Sequence, residues 1–242
     1  MISQPLKEFT MRISKYIAHC GICSRRSAEP AVIDGRVKVN GKIIRELSAQ
    51  VQPDDIVELD GKPIFPEERH TYIMLYKPEG YITTTSDEKG RACVLDLINE
   101  EGVRLVPVGR LDCATSGLLL LTNDMELVNR LTHPRHGLSK TYQVRIDGNP
   151  SPHTISRLRR GMEIEGYTTR PIQVRTIKTS PASTTLELIL HEGRNRQIRK
   201  MMEQAGHRIL SLRRTAVGSL NLRGLKKGEY RHLTKDEINR LR

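Results

Sequence analysis

Between Arg12 and about Asp34 apolar residues recur at helical spacing, with Ile13, Ile17 and Ala18 on one face and Ala28, Ala31 and Val32 on another. Gly21 can end a first helix there, and Ser24 can cap a second. The period then changes to two. Val37-Lys38-Val39 and Lys42-Ile43-Ile44 flank Asn40-Gly41, the strongest short hairpin signal, and Val57-Glu58-Leu59 before Asp60-Gly61 repeats the turn chemistry. The pattern predicts a helix pair followed by small strands, with Arg25 and Arg26 giving the second helix a basic start. Pro63, Pro66 and Glu67-Glu68-Arg69 then mark a linker.

Beyond the linker, strand-like runs fall at 72–76, 105–108, 118–122, 141–146, 172–177 and 185–190. Helical stretches near 95–99, 126–131, 155–160 and 197–205 interleave with them. The strand spacing is too irregular for a doubly wound parallel sheet, and no Gly-x-Gly-x-x-Gly or Walker loop occurs. The expectation is an α+β chain: a leader over 1–11, a small module over 12–66, and a mixed α/β domain over 67–242.

Charge changes this picture by its placement. Of the net +12, residues 1–65 carry +2, residues 66–190 carry +1, and residues 191–242 carry +9. Such an excess in one segment is the footprint expected of a protein that meets a polyanion. A membrane surface would want an aromatic-rich amphipathic face there, which is missing, so nucleic acid is the favoured partner. No apolar stretch approaches a membrane span. Cys20, Cys23, Cys93 and Cys113 form no disulfide framework, and Cys20-x-x-Cys23 has no second pair to complete a zinc site. A reduced, cytoplasmic protein without a metal is expected.

Four segments carry candidate chemistry. In Gly109-Arg110-Leu111-Asp112 a lone acid stands just before an apolar run, where a rigid core element would hold a catalytic carboxylate. A turn aspartate bonding its own backbone is the ordinary alternative. Lys77-Pro78-Glu79-Gly80 ends a strand in a turn, and Lys140-Thr141-Tyr142 opens one with a tyrosine. Finally, after a glycine turn, Arg194, Asn195, Arg196, Gln197 and Arg199 enter a helix whose apolar face is Ile198, Met201, Met202 and Ala205. An anchored helix aims its arginines, and their planar forks suit phosphate, so RNA contact is favoured over a solvated charge run.

In this order, Lys77-Pro78-x-Gly80, Gly109–Asp112, Lys140–Tyr142 and Gly193–Arg199 resemble the RsuA/RluB/RluE/RluF family of ribosomal RNA pseudouridine synthases, nearest the RluB branch. The resemblance covers essentially the whole chain, and residues 12–60 resemble the αL RNA-binding motif. It implies a mainly antiparallel catalytic domain with a central cleft, acting on ribosomal RNA of the large subunit; nothing in the sequence requires more than a monomer. It also implies no cofactor and no metal, since the isomerisation breaks one glycosidic bond and makes another. Asp112 would be the nucleophile, attacking either the uracil ring or the ribose anomeric carbon. Tyr142 would stack on the flipped base, and Arg199 would pair with Asp112. Arg110 would support extrusion of the target from its stack. RNA contacts would come from Lys77, Arg194, Asn195, Arg196 and Gln197, with Arg25, Arg26, Lys38 and Lys42 of the N-terminal module. A small-subunit target, or a non-catalytic factor that binds ribosomal RNA during assembly, is the alternative.

Two positions depart from the family pattern. Pro30 lies inside the second helix, where its ring and missing N–H cost about 3 kcal/mol, so a late-starting helix capped at Ser27 is expected. Met125 replaces a glycine usual after Asn-Asp.

Overall fold

Asn40 and Gly41 both adopt positive φ (50° and 76°), as do Asp60 and Gly61 (53° and 76°), so each pair closes a two-residue hairpin. The computed structural model in which they lie describes residues 10–67, 69–133 and 137–242. Two units form, one up to His70 together with Gly102–Arg104, the other Thr71–Glu101 and Leu105–Arg242.

In the first unit β1 (Met11–Arg12) leads into α1 (Ile13–His19) and α2 (Arg25–Ile33), followed by β2 (Val37–Val39), β3 (Lys42–Ile44), β4 (Gln50–Val51), β5 (Val57–Leu59) and β6 (Lys62–Ile64). The leader expected over 1–11 lies outside the described residues as far as residue 9, while Met11 and Arg12 pair with β4. β3, β2, β5 and β6 form an antiparallel sheet in that order. Ile13, Ile17, Ala28 and Val32 from the helices pack with Val37, Val51 and Val57 from the strands.

The late start expected for the second helix is corrected. Ser24 is its N-cap, accepting a hydrogen bond from the Ser27 amide at 3.0 Å, and the helix runs through Pro30 to Ile33. Pro30 and Arg26 both lie on the exposed side, so the Arg26 carbonyl that Pro30 cannot serve is on the side open to water.

The second unit contains β7 (Tyr72–Lys77), a 3₁₀ turn (Val94–Leu97), β8 (Val106–Val108), β9 (Ser116–Thr122), α3 (Met125–Thr132), β10 (Lys140–Asp147), α4 (Pro152–Arg160), β11 (Glu163–Ile164), β12 (Tyr167–Thr168), β13 (Gln173–Ser180) and β14 (Ser183–Leu190). It ends with α5 (Gln197–Gln204), β15 (Ile209–Val217), β16 (Leu220–Asn221), β17 (Tyr230–His232) and α6 (Lys235–Leu241). The helix expected near 95–99 is thus a single 3₁₀ turn. Met125 takes the first position of α3 behind the Asp124 cap, so no glycine is required there.

One sheet organises this unit, in the order β13-β14-β10-β15-β9-β7-β17, with β16 beside β15 and β8 beside β9. Its pairings are antiparallel except at β9 and β15, where Ser116 and Gly117 run parallel to Arg213 and Arg214. Gly117 has φ 122°, and a Cβ there would stand 2.2 Å from the Arg214 carbonyl oxygen, so only glycine lets the two backbones meet. β15 is absent from the sequence-based expectation because Arg213 and Arg214 interrupt its apolar pattern. α4 and α5 cover one sheet half with Leu158, Ile198, Met201 and Met202, while α3 and α6 bury Leu127, Leu131 and Leu241 on the other.

Candidate functional site

Asp112 sits in the loop between β8 and β9, and that loop is built around a buried cation. Lys77, at the end of β7, is fully buried, and its Nζ donates to the carbonyls of Pro78 (2.9 Å), Asp112 (3.2 Å), Cys113 (3.4 Å) and Thr115 (2.9 Å). Burial pushes its ammonium down to about 8. The Thr83 hydroxyl adds a 2.7 Å bond to the Leu111 carbonyl. With its backbone gathered from below, Asp112 is left one-third exposed at the side chain. This corrects the expectation for Lys77: a fully buried lysine cannot touch RNA, and its role is to shape the Asp112 loop.

The loop opens on a cleft of about 690 Å³ lined by segments far apart in sequence, Asp112, Tyr142 and Arg199 among them. Arg199 comes from the first turn of α5, anchored by the buried Ile198, Met201 and Met202. Its Nη2 donates to the Ala114 carbonyl at 2.8 Å and the Thr115 hydroxyl at 3.0 Å. Its Nε is buried, makes no hydrogen bond among the described residues, and stands 3.6 Å from Asp112 Oδ2. Tyr142 lies on β10 directly opposite Arg214 of β15, and both side chains line the cleft.

The arginine-rich turn forms the rim. Glu192 holds it: one carboxylate oxygen accepts from the Arg170 amide (3.0 Å), Gln197 Nε2 (2.5 Å) and the Tyr167 hydroxyl (3.4 Å). Arg194 stacks over the Tyr167 ring at 3.7 Å. Arg196 is the N-cap of α5 in the left-handed region (φ 52°), a conformation unusual for a residue with a side chain. Arg194, Asn195 and Arg196 are exposed on the cleft, as is Arg110. Gln197 is corrected. Its side chain is buried and spent on Glu192 and the Arg194 amide, so it supports the turn rather than meeting a ligand.

Arg25, Arg26 and Lys42 are exposed and Lys38 half-exposed, all in the first unit. Sequence reasoning missed Glu192 as an organiser and Lys140 and Arg214 as cleft residues. Glu192 lies two residues before Arg194, and nothing in its own sequence neighbourhood marks it as an organiser of the turn. Arg214 had a weaker signal, a cation pair in a segment otherwise fit for a strand.

Among the described residues no helix is long and apolar enough to cross a membrane. Residues 71–204 match the model of the RNA pseudouridylate synthase family, and residues 11–57 match that of the S4 domain. The chain is 43% identical over 233 residues to ribosomal large subunit pseudouridine synthase B of Bacillus subtilis, covering 96% of this chain and 95% of the relative. It is 40% identical to an uncharacterized RNA pseudouridine synthase of Aquifex aeolicus, covering 96% and 93%. A crystal structure of a pseudouridylate synthase superposes with TM-score 0.70 at 28% identity, covering 96% of this chain and 99% of that one. The cleft that gathers Asp112, Tyr142 and Arg199 lies within a chain that belongs to the RNA pseudouridylate synthase family and carries an S4 domain at its N-terminal end.

Proposed function

We propose that this chain isomerises one uridine of large-subunit ribosomal RNA to pseudouridine, with Asp112 as nucleophile, Tyr142 as the surface for the flipped base and Arg199 as the charge partner of the aspartate. One observation carries the reading. Three residues separated by up to 87 positions line a single cleft, with Arg199 Nε 3.6 Å from Asp112 Oδ2. A cation at that distance orients the carboxylate and stabilises its negative charge before attack.

The chemistry needs little else. Asp112 attacks the ribose anomeric carbon or the uracil ring, the uracil turns, and it rejoins the sugar through carbon 5. Unstacking the uridine costs a few kcal/mol, which Arg110, Arg194, Asn195 and Arg196 on the cleft and the basic residues of the S4 domain offset through RNA contacts. The ribosomal assignment is supported by the Bacillus subtilis relative, whose name states that substrate. The enzyme acts in the cytoplasm, as a monomer.

The direct test is tritium release from RNA labelled at carbon 5 of uridine. Asp112→Asn abolishes release while leaving RNA affinity within about threefold of wild type. Release at the wild-type rate by that variant rejects the nucleophile. Mapping pseudouridines in cells with and without the protein decides the substrate: a missing site in the large-subunit RNA supports the reading, and one in the small-subunit RNA overturns it.

A further inference from the structure

Arg214 is a guanidinium buried to 4% exposure on a strand in the middle of the sheet. Its Nε donates to the Leu118 carbonyl at 2.8 Å, which fixes the side chain against β9. Its Cα partner across the strands is Tyr142, so the two stand side by side on the cleft wall. Lys140, two residues before Tyr142 on β10, shares that face and is only half-exposed. Its Nζ makes one hydrogen bond, to the Leu138 carbonyl at 3.2 Å. Among the described residues neither cation has a carboxylate partner. The two acids that line the cleft are committed elsewhere, Asp112 to Arg199 and Glu192 to the rim turn.

Among the described residues, a buried guanidinium and a partly buried ammonium share this wall without a carboxylate, an arrangement that opposes folding. Burial and Arg214 together push the Lys140 ammonium downward. Such an arrangement is what a site shows when its anion arrives with the substrate. Leu120, Leu138 and Val217 line the same cleft and give a flat heterocycle apolar surface to pack against.

We propose that Lys140 and Arg214 bind the carbonyl oxygens of the uracil ring and stabilise the negative charge the ring acquires during the reaction. The inference rests on the reading that Asp112 attacks a uridine held in this cleft. The charge balance is the same for both points of attack. If the Asp112 carboxylate bonds to C1′, the C1′–N1 bond breaks and its electron pair leaves with the uracil, delocalised onto O2 and O4. If it bonds to C6, the C5–C6 pair moves onto O4. On that second route the C1′–N1 bond breaks after the addition, before the ring turns. Either way the unit of charge carried by Asp112 passes to the ring; C5 then bonds to C1′, the bond from Asp112 to the carbon it attacked breaks and returns the charge to the carboxylate, and the proton lost from C5 is balanced by one gained at N1. Donors already in place beside those oxygens lower the barrier without reorganising.

The test is single-turnover tritium release by Arg214→Gln and Lys140→Gln on labelled RNA, with RNA dissociation constants measured in parallel. Each variant slows release by about 100-fold or more while affinity changes less than about threefold. Arg214→Lys, which keeps the charge, recovers part of the rate. Wild-type rates in both glutamine variants overturn the proposal. So does a loss carried entirely by the dissociation constant, which marks a grip on backbone phosphate instead. Should Arg214→Gln fail to fold, Lys140→Gln decides, because its side chain holds only one carbonyl. Release by Asp112→Asn would instead sink the reading beneath the proposal, and the two failures are read from different variants.

Discussion

Arg199 reaches Asp112 across the cleft with an Nε that has no hydrogen-bond partner among the described residues, 3.6 Å from Oδ2, while its Nη2 is tied to Ala114 and Thr115 on the aspartate's own loop. The guanidinium therefore does two things at once. It fixes the loop behind Asp112, and it keeps one donor ready to close on the carboxylate when substrate excludes water.

Arg199→Ala lowers turnover severely, by about 10²-fold or more, because a positioned charge beside the proposed nucleophile Asp112 is lost. Arg199→Lys does not restore wild-type activity, since an ammonium cannot span the two bonds of Nη2 and also present a donor to Asp112. Steady-state kinetics on labelled RNA check both, and unchanged turnover in Arg199→Ala removes the residue from the site.

Lys77 gives the enzyme an alkaline limit. Its pKa lies near 8 in the folded protein against 10.5 for a free side chain, so between those values the folded state binds fewer protons than the unfolded state. Its contribution to stability consequently rises with pH across that window. The neutral amine, however, has only two N–H groups for the four carbonyls it holds. Activity falls as pH rises through about 8 while the melting temperature does not fall with it. A pH–rate profile set beside thermal melts tests this, and parallel loss of both would refute it.

Gly117→Ala tests the junction of β9 with β15. The added methyl would lie 2.2 Å from a backbone oxygen that cannot swing away as a side chain can. A destabilisation of about 3 kcal/mol is expected from the overpacking and the strained φ. Denaturant unfolding measures it, and a loss below about 1 kcal/mol would show that the strands separate easily.

At the C-terminal end, Glu237 is held at about 2 chiefly by its hydrogen bonds from Arg231, at 2.8 and 2.6 Å, against the opposing effect of burial. Because the folded pKa is depressed from 4.5, the stabilisation is present above about 4.5 and is lost as pH falls toward 2. Glu237→Gln therefore flattens the acid-unfolding curve in that window. An unaltered curve would assign the acid sensitivity to other carboxylates.

Much of the architecture was legible because local chemistry declares it. Asn40-Gly41 and Asp60-Gly61 demand positive φ at both turn positions, whereas Pro30 pointed to a cap at Ser27 although the helix starts from Ser24. Asp112, Tyr142 and Arg199 were singled out by the resemblance of their motifs to the pseudouridine synthase family; the strand and helix signals beside them place their elements but not their meeting in one cleft. What escaped depends on distance in sequence. The burial of Lys77 is set by the carbonyls of residues 112–115, and Arg214 becomes an interior residue only once β9 and β10 flank its strand. A lysine or arginine in isolation reads as surface, and only the completed sheet shows otherwise.

The short parallel contact between β9 and β15 also decides when the enzyme comes into being. Strand β9 leads out of the Asp112 loop, strand β15 abuts Tyr142, and they meet over two residue pairs about 100 positions apart in the chain, a long-range contact of the kind that forms late in folding. As the polypeptide leaves the ribosome N-terminus first, Asp112 emerges between β8 and β9 and Tyr142 later on β10, before the β15 that lies between β9 and β10 in the sheet has been made. Arg199 follows, still without the strand that brings it to the loop. The cleft is thus complete only after Val217 has been made, so a chain still short of β15 lacks the wall that Arg214 and Val217 give it.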